Sequence, residues 1–161
     1  MQIKSLAIHN FKSIRRMYIP DIENALILVG QNNTGKTTVL DAIRAVGGAY
    51  AIRPEDFNEE GANIEIAVSI EYTEDDLMQM QKAGLVSSYH RFEAWKEDFC
   101  KKLPSYQDGL LQFTYTANRK GKIRYQDGYA KHNSHIPEIF PRIYNLDAER
   151  NLGQLEENLL L

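Results

Sequence analysis

Residues 30 to 37 read GQNNTGKT, which fits the pattern G-x-x-x-x-G-K-[ST]. These residue types at this spacing suit a loop that wraps an oligophosphate. Gly30 lets the chain leave a preceding strand sharply, and Gly35 lets the backbone approach phosphate oxygens without a Cβ in the way. The backbone N–H groups of about Asn33 to Thr38 would then face the anion, at the positive end of the helix that follows. Lys36 is the candidate catalytic cation, placed between the β- and γ-phosphates. Thr37 offers a hydroxyl ligand to Mg²⁺, which keeps most of its other positions for phosphate and water. Thr38 is placed for the α-phosphate. The candidate nucleotide-binding set is therefore Gly30, Gln31, Asn32, Asn33, Thr34, Gly35, Lys36, Thr37 and Thr38.

Such a loop works only between a buried strand and an amphipathic helix, and the flanks have that form. Before it, ALILVG (25–30) is a continuous apolar run, as in a strand covered on both faces. After it, Val39, Leu40, Ile43 and Val46 recur at helical spacing until Gly47-Gly48 stops the run. Upstream, IKSLAIHNF and RRMYIP read as two strands of an antiparallel hairpin with a turn at Lys12-Ser13.

Downstream, Ile64, Ile66, Val68, Ile70 and Tyr72 alternate with Glu65, Ala67, Ser69 and Glu71, the pattern of a half-exposed strand. Thr73 is positioned to cap a helix with Asp76 at the capping-box position and Gly84 at its end. Gln79 and Gln81 fall in that helix and read as surface residues. A second helix is expected from about Ser88 to Leu103. Tyr89, Phe92, Trp95, Phe99 and Leu103 would form its apolar face, a core stripe rather than a base-stacking surface. LLQFTYTA and KIRYQ read as strands around the turn NRKG, and RIYNL (142–146) as one more.

The chain has 161 residues, 43 % apolar and 25 % charged, which suits one folded unit with a real core. No apolar run approaches the ~20 residues a membrane helix needs, and no signal-peptide layout opens the chain. Cys100 is the only cysteine, so no internal disulfide can form, and a cytoplasmic setting is expected. The formal net charge is −3, unevenly spread. Residues 1–53 carry seven Lys/Arg against three Asp/Glu, residues 54–108 five against thirteen, and residues 109–161 seven against six. The basic first third suits phosphate binding, whereas the acidic whole is no argument for nucleic-acid binding.

Three features narrow the class. Two strands precede the loop strand, no N-K-x-D or T-K-x-D is present for guanine, and IKSLAIHNFKSI is followed by ILVGQNNTGKTTVLDAI. This combination resembles the N-terminal lobe of ABC-type ATPase heads of the SMC and RecF-like class, and most of all the OLD (overcoming lysogenization defect) family. The residues that carry the resemblance are Ile8, Asn10, Phe11, Lys12 and Ser13, then Gly30 to Thr37, then Leu40, Asp41, Ala42 and Ile43. RIYNLDAERNL from 142 adds to it. The resemblance implies an α/β P-loop NTPase lobe with a mixed sheet and antiparallel strands, binding ATP and Mg²⁺. It also implies a homodimer through the heads, with DNA as a partner and a nuclease module in the full-length protein, acting in repair or phage defence. It further implies a basic residue in the first turn reaching the nucleotide, here Lys12. Apart from the resemblance, Arg150 is a further candidate to face the nucleotide or a partner subunit.

Hydrolysis in that class also needs an apolar strand ending in Asp-Glu, a signature motif and a histidine switch. IYNLDAE (143–149) is the nearest match to the acidic strand, but Asn145 interrupts it and Ala148 separates its acids. His9, His90, His132 and His135 are scattered. The final EENLLL reads as a helix cut short, so the expectation is an N-terminal piece of a longer protein that turns over no ATP alone. A small P-loop kinase and a non-catalytic nucleotide-binding module are the alternative readings.

Overall fold

A computed structural model describes residues 1–22 and 33–141. ALILVG, Gly30, Gln31, Asn32 and the whole of 142–161, with RIYNL, IYNLDAE, Arg150 and EENLLL, lie outside the described residues.

Among the described residues five strands form one sheet in the order β2-β1-β3-β4-β5, and every neighbour pair is antiparallel. They are β1 (Gln2–Phe11), β2 (Ile14–Ile19), β3 (Ile64–Glu71), β4 (Leu110–Ala117) and β5 (Ile123–Gln126). The helices are α1 (Asn33–Val46), α2 (Glu74–Lys82), α3 (Phe92–Lys102) and the single turn α4 (Ile136–Ile139). A 3₁₀ turn spans Pro54–Asp56. The expected mixed sheet is thus antiparallel over the described residues.

Period-two patterning decides which face of the sheet is covered. Ile64, Ile66, Val68 and Ile70 of β3 are buried and register with Ala117, Tyr115, Phe113 and Leu111 of β4. Ile8 and Leu6 of β1 continue the same rows, opposite Ile66 and Val68. A one-residue slip would put all of these in water, so the register is strongly specified. The apolar face of α1 lies in the same core: Val39, Leu40, Ile43 and Val46 are all buried, as their spacing predicts. A Schellman motif ends this helix. Ala49 N–H donates to Arg44 O at 2.8 Å and Gly48 N–H to Ala45 O at 3.1 Å, with Gly48 at φ +83°, a conformation glycine adopts without strain.

The capping box at α2 forms as read. Thr73 Oγ1 accepts from Asp76 N–H at 3.1 Å, and Asp76 Oδ2 accepts from Thr73 N–H at 2.8 Å. A cap of this kind contributes about 1 kcal/mol. The following helix differs from expectation at its start. It begins at Phe92, and Tyr89 stands outside it, 45 % exposed. Residues 83–91 instead make an irregular loop, with Gly84 and Val86 at positive φ and Gln81 Nε2 donating to the Tyr89 and His90 carbonyls. Trp95, Phe99 and Leu103 are buried as the stripe predicts.

Core tyrosines tie the layers together. The Tyr72 hydroxyl donates to Ile139 O at 2.9 Å, and the Tyr125 hydroxyl donates to Val46 O at the end of α1. Burial pushes the Tyr125 phenol up to about 12. Its neutral form is the folded one, and its folded pKa lies above the unfolded value of about 10. That contribution is therefore intact below pH ~10 and lost as pH rises through 10 toward 12, about 2–3 kcal/mol in all. Between about pH 10 and 12 the loss of stability with pH, followed by denaturation at each pH, is expected to be shallower in Tyr125→Phe than in the wild type, because phenylalanine has no proton to lose, while the variant starts from a lower stability at neutral pH for want of the bond to Val46 O. An unchanged slope would show that Tyr125 does not govern the alkaline limit.

Candidate nucleotide-binding site

α1 begins at Asn33, so the last residues of the GQNNTGKT segment form its first turns. No acidic residue stands in the first turn, although acids are favoured there in ordinary helices. The end of this 14-residue helix therefore retains its positive character. Thr37 is exposed and Thr38 is 4 % exposed. The side chains of Asn33, Thr34 and Lys36 lie outside what the structure describes. A helix N-terminus without carboxylates, with an exposed threonine one turn in, fits a polyphosphate with its magnesium ion.

The first hairpin turn packs against the middle of this helix. Lys12 Nζ lies 2.6 Å from Asp41 Oδ2, and Arg44 Nη1 lies 3.4 Å from Asp41 Oδ1. The Lys12 ammonium also sits 4.8 Å from the centre of the Tyr50 ring and 5.6 Å from that of Phe11, both cation–π distances. Partial burial favours the neutral amine. The hydrogen bonds and charge of Asp41 and Tyr50 outweigh it, and Lys12 titrates above its ordinary value. The sequence resemblance assigns Lys12 to the nucleotide; in this structure its ammonium is engaged by Asp41.

A second set of bonds holds the turn from outside. Asn10 and Lys12 both have positive φ, at 63° and 54°, conformations that cost a non-glycine residue free energy. Asn10 is buried, and its side chain offsets that cost. Nδ2 donates to Ala62 O at 2.8 Å and Glu59 O at 3.1 Å, while Oδ1 accepts from Glu59 N–H at 2.6 Å. Lys12 N–H donates to Asp56 O at 2.6 Å, and Asn58 Nδ2 donates to Lys12 O at 3.0 Å. Buried Asp56 accepts from the Tyr50 hydroxyl on both oxygens at 3.0 Å and from Arg53 N–H at 2.8 Å. Sequence reading identified Lys12 and Ser13 but missed Tyr50, Asp56 and the partnership of Asp41. The only signal available was that Asn10 and Asp41 stand inside the two matching segments.

The other sequence candidates are dispersed. Gln81 serves the loop after α2, and Gln79 Nε2 lies 3.4 Å from Asp75 Oδ2. His132 Nδ1 accepts from Tyr125 N–H at 3.0 Å, and His135 Nδ1 lies 3.2 Å from Glu138 Oε2. Among the described residues no three His, Cys, Asp or Glu side chains group to hold a metal ion, and no helix is long and apolar enough to cross a membrane.

A family model described as AAA ATPase domain matches residues 1–157, nearly the whole chain. The chain belongs to the AAA ATPase domain family. Membership of an ATPase family implies ATP binding, usually with Mg²⁺. No curated protein matches this AAA ATPase domain. Among solved structures it is similar to the Smc head domain of Pyrococcus furiosus, solved with an extended coiled coil and bound to the C-terminal domain of ScpA. The identity is 14 % and the TM-score 0.47, over 89 % of this chain and 32 % of that one. The domain thus spans about a third of the length of that head-domain chain.

Proposed function

We propose that this AAA ATPase domain is the ATP-binding lobe of an OLD- or RecF-like ATPase that acts on DNA in repair or phage defence. In this reading the signature, acidic-strand and nuclease chemistry belong to other parts of the full-length protein. The observation that supports its ATP-binding part is the acid-free N-terminus of α1, formed from the residues that complete G-x-x-x-x-G-K-T; its OLD- and DNA-related part rests on the sequence resemblance. The backbone amides of Asn33 to Thr38 would hold the phosphates, with Lys36 as the cation between the β- and γ-positions. Gly30, Gln31, Asn32, Thr34 and Gly35 would shape the loop, and Thr37 would take the magnesium ion. When bound, the ion neutralises phosphate charge. Lys12, carried on the clamped hairpin turn, would approach the nucleotide only by leaving or sharing Asp41. Head-to-head dimerisation would complete the site from a second copy.

The test is calorimetric titration of the intact gene product with ATP, with and without magnesium. Magnesium-dependent uptake is expected, weakened at least about tenfold (~1.4 kcal/mol) by Lys36→Ala. Absence of uptake, or uptake that Lys36→Ala leaves unchanged, would overturn the assignment.

A further inference from the structure

The sheet has a second face, turned away from α1, where no nucleotide chemistry is expected. On its β4–β5 side the side chains of Asn63, Thr116, Asn118, Lys122 and Arg124 surround a recess of about 280 Å³. Strand alternation puts them there. Tyr115 and Tyr125 point into the core, so Thr116 and Arg124, directly paired in register, point out.

Every group lining this recess is a cation or a neutral polar side chain, and none is a carboxylate. Among the described residues no ion pair holds Lys122 or Arg124, which are both exposed. Asn118 is oriented by the turn itself. Its Oδ1 accepts from Lys120 N–H at 3.0 Å and Lys122 N–H at 2.9 Å, which commits the oxygen and leaves Nδ2 as the group available to a ligand. Backbone bonds from Asn118 N–H to Lys122 O at 3.1 Å and from Gly121 N–H to Asn118 O at 3.0 Å close the same turn. The recess therefore offers two cationic side chains, a fixed amide donor, a hydroxyl and a second amide. Its natural complement is a compact ligand rich in acceptors and negatively charged. The nearest acid in register is Glu65, opposite Thr116 and next to His9, and it limits the positive field on the β1 side.

We propose that this recess is a phosphate-binding site, separated from the nucleotide site by the sheet. Guanidinium and ammonium groups beside neutral donors are the usual means of holding phosphate oxygens. The phosphate can come from a free anion or from the backbone of a nucleic acid. The proposal does not rest on the ATP reading and fails separately from it.

The experiment follows the amide NMR resonances of Asn118, Lys122 and Arg124 in the purified chain during titration with inorganic phosphate. In parallel, fluorescence anisotropy follows a single-stranded oligothymidylate at two salt concentrations. Two variants are compared: Lys122→Ala/Arg124→Ala, and Asn118→Asp, which keeps the oxygen that orders the turn but replaces the free donor with an anion. Shifts confined to the hairpin with phosphate, lost in both variants, identify a free-anion site. Oligonucleotide binding weakened about tenfold or more in both variants, with a salt slope lower by about two charges in the double variant, identifies backbone phosphate. Either result supports the proposal. Magnesium-ATP uptake and the melting temperature are expected to match the wild type throughout. Absence of binding by both probes, or binding that neither variant weakens, overturns it.

Discussion

Trp95→Ala is expected to lower the stability of the domain by about 3–5 kcal/mol. The indole is fully buried and stacks on Phe99 with centroids 5.0 Å apart and on Phe92 at 6.0 Å. Phe99 in turn meets Tyr106 edge-on at 5.1 Å. Truncation removes the largest side chain of this cluster and leaves a cavity that rigid ring neighbours fill poorly. It also removes the Nε1–H bond to Leu85 O, 2.9 Å long, which holds the loop between α2 and α3. An orphaned, partly buried carbonyl adds to the cost. Since folded domains are stable by only ~5–15 kcal/mol, the variant is expected to be largely unfolded near its former working temperature. Chemical denaturation measures this, with Trp95→Phe as the comparison. Phenylalanine keeps ring contacts and loses the N–H, so its loss is expected to be roughly half as large. If Trp95→Ala cost less than about 1 kcal/mol, the aromatic stripe would have to be read as a surface feature awaiting a ligand rather than as core.

Asp41→Ala is the second large effect, expected at about 2–4 kcal/mol. The Asp41 side chain is only 8 % exposed, while its two cations, Lys12 and Arg44, are each 25 % exposed. Without the carboxylate, Lys12 faces the Tyr50 and Phe11 rings with no counter-charge, so the loss exceeds that of an ordinary surface pair. The partial exposure of Lys12 lets its ammonium move toward water, which keeps the cost below that of a fully buried pair. Removing both partners, as in Lys12→Met/Asp41→Leu, is expected to cost less than the sum of the single changes, with a coupling of about 1–3 kcal/mol in a double-mutant cycle. Strict additivity of the two single losses would mean that the 2.6 Å contact contributes nothing to the hairpin's seat on α1.

Both effects bear on function through position. Asp41 lies five residues beyond Lys36 on the helix whose first turn carries the phosphate-loop residues. Through Lys12 it ties that helix to the β1–β2 turn, and through the Asn10, Asn58 and Asp56 bonds the turn is tied to the 54–63 segment. A change in the state of Lys12 would therefore be felt by the helix proposed to hold the phosphates, whichever ligand Lys12 takes.

What local physics encodes is legible along the chain. The helical spacing of Val39, Leu40, Ile43 and Val46, the alternation of Ile64 to Tyr72, the Thr73–Asp76 box and the glycine stop at Gly48 each involve residues within a few positions of one another. Backbone geometry ties such patterns to one structure. The G-x-x-x-x-G-K-T pattern is likewise contiguous, eight successive residues, so it is visible along the chain without reference to the fold. The start of α3 departs from the spacing because Tyr89, though in step with the apolar stripe, lies in a loop held by Gln81 and broken by Val86 at positive φ. The folded core, by contrast, brings Lys12 to Asp41 across 29 positions, lets Asn10 clamp Glu59 and Ala62, and joins Asn63, more than fifty positions upstream, to the β4–β5 hairpin around one recess. Those meetings depend on strand order and on which face of the sheet a side chain occupies. Both are set by the packing of the whole core, and neither leaves a periodic mark on the chain.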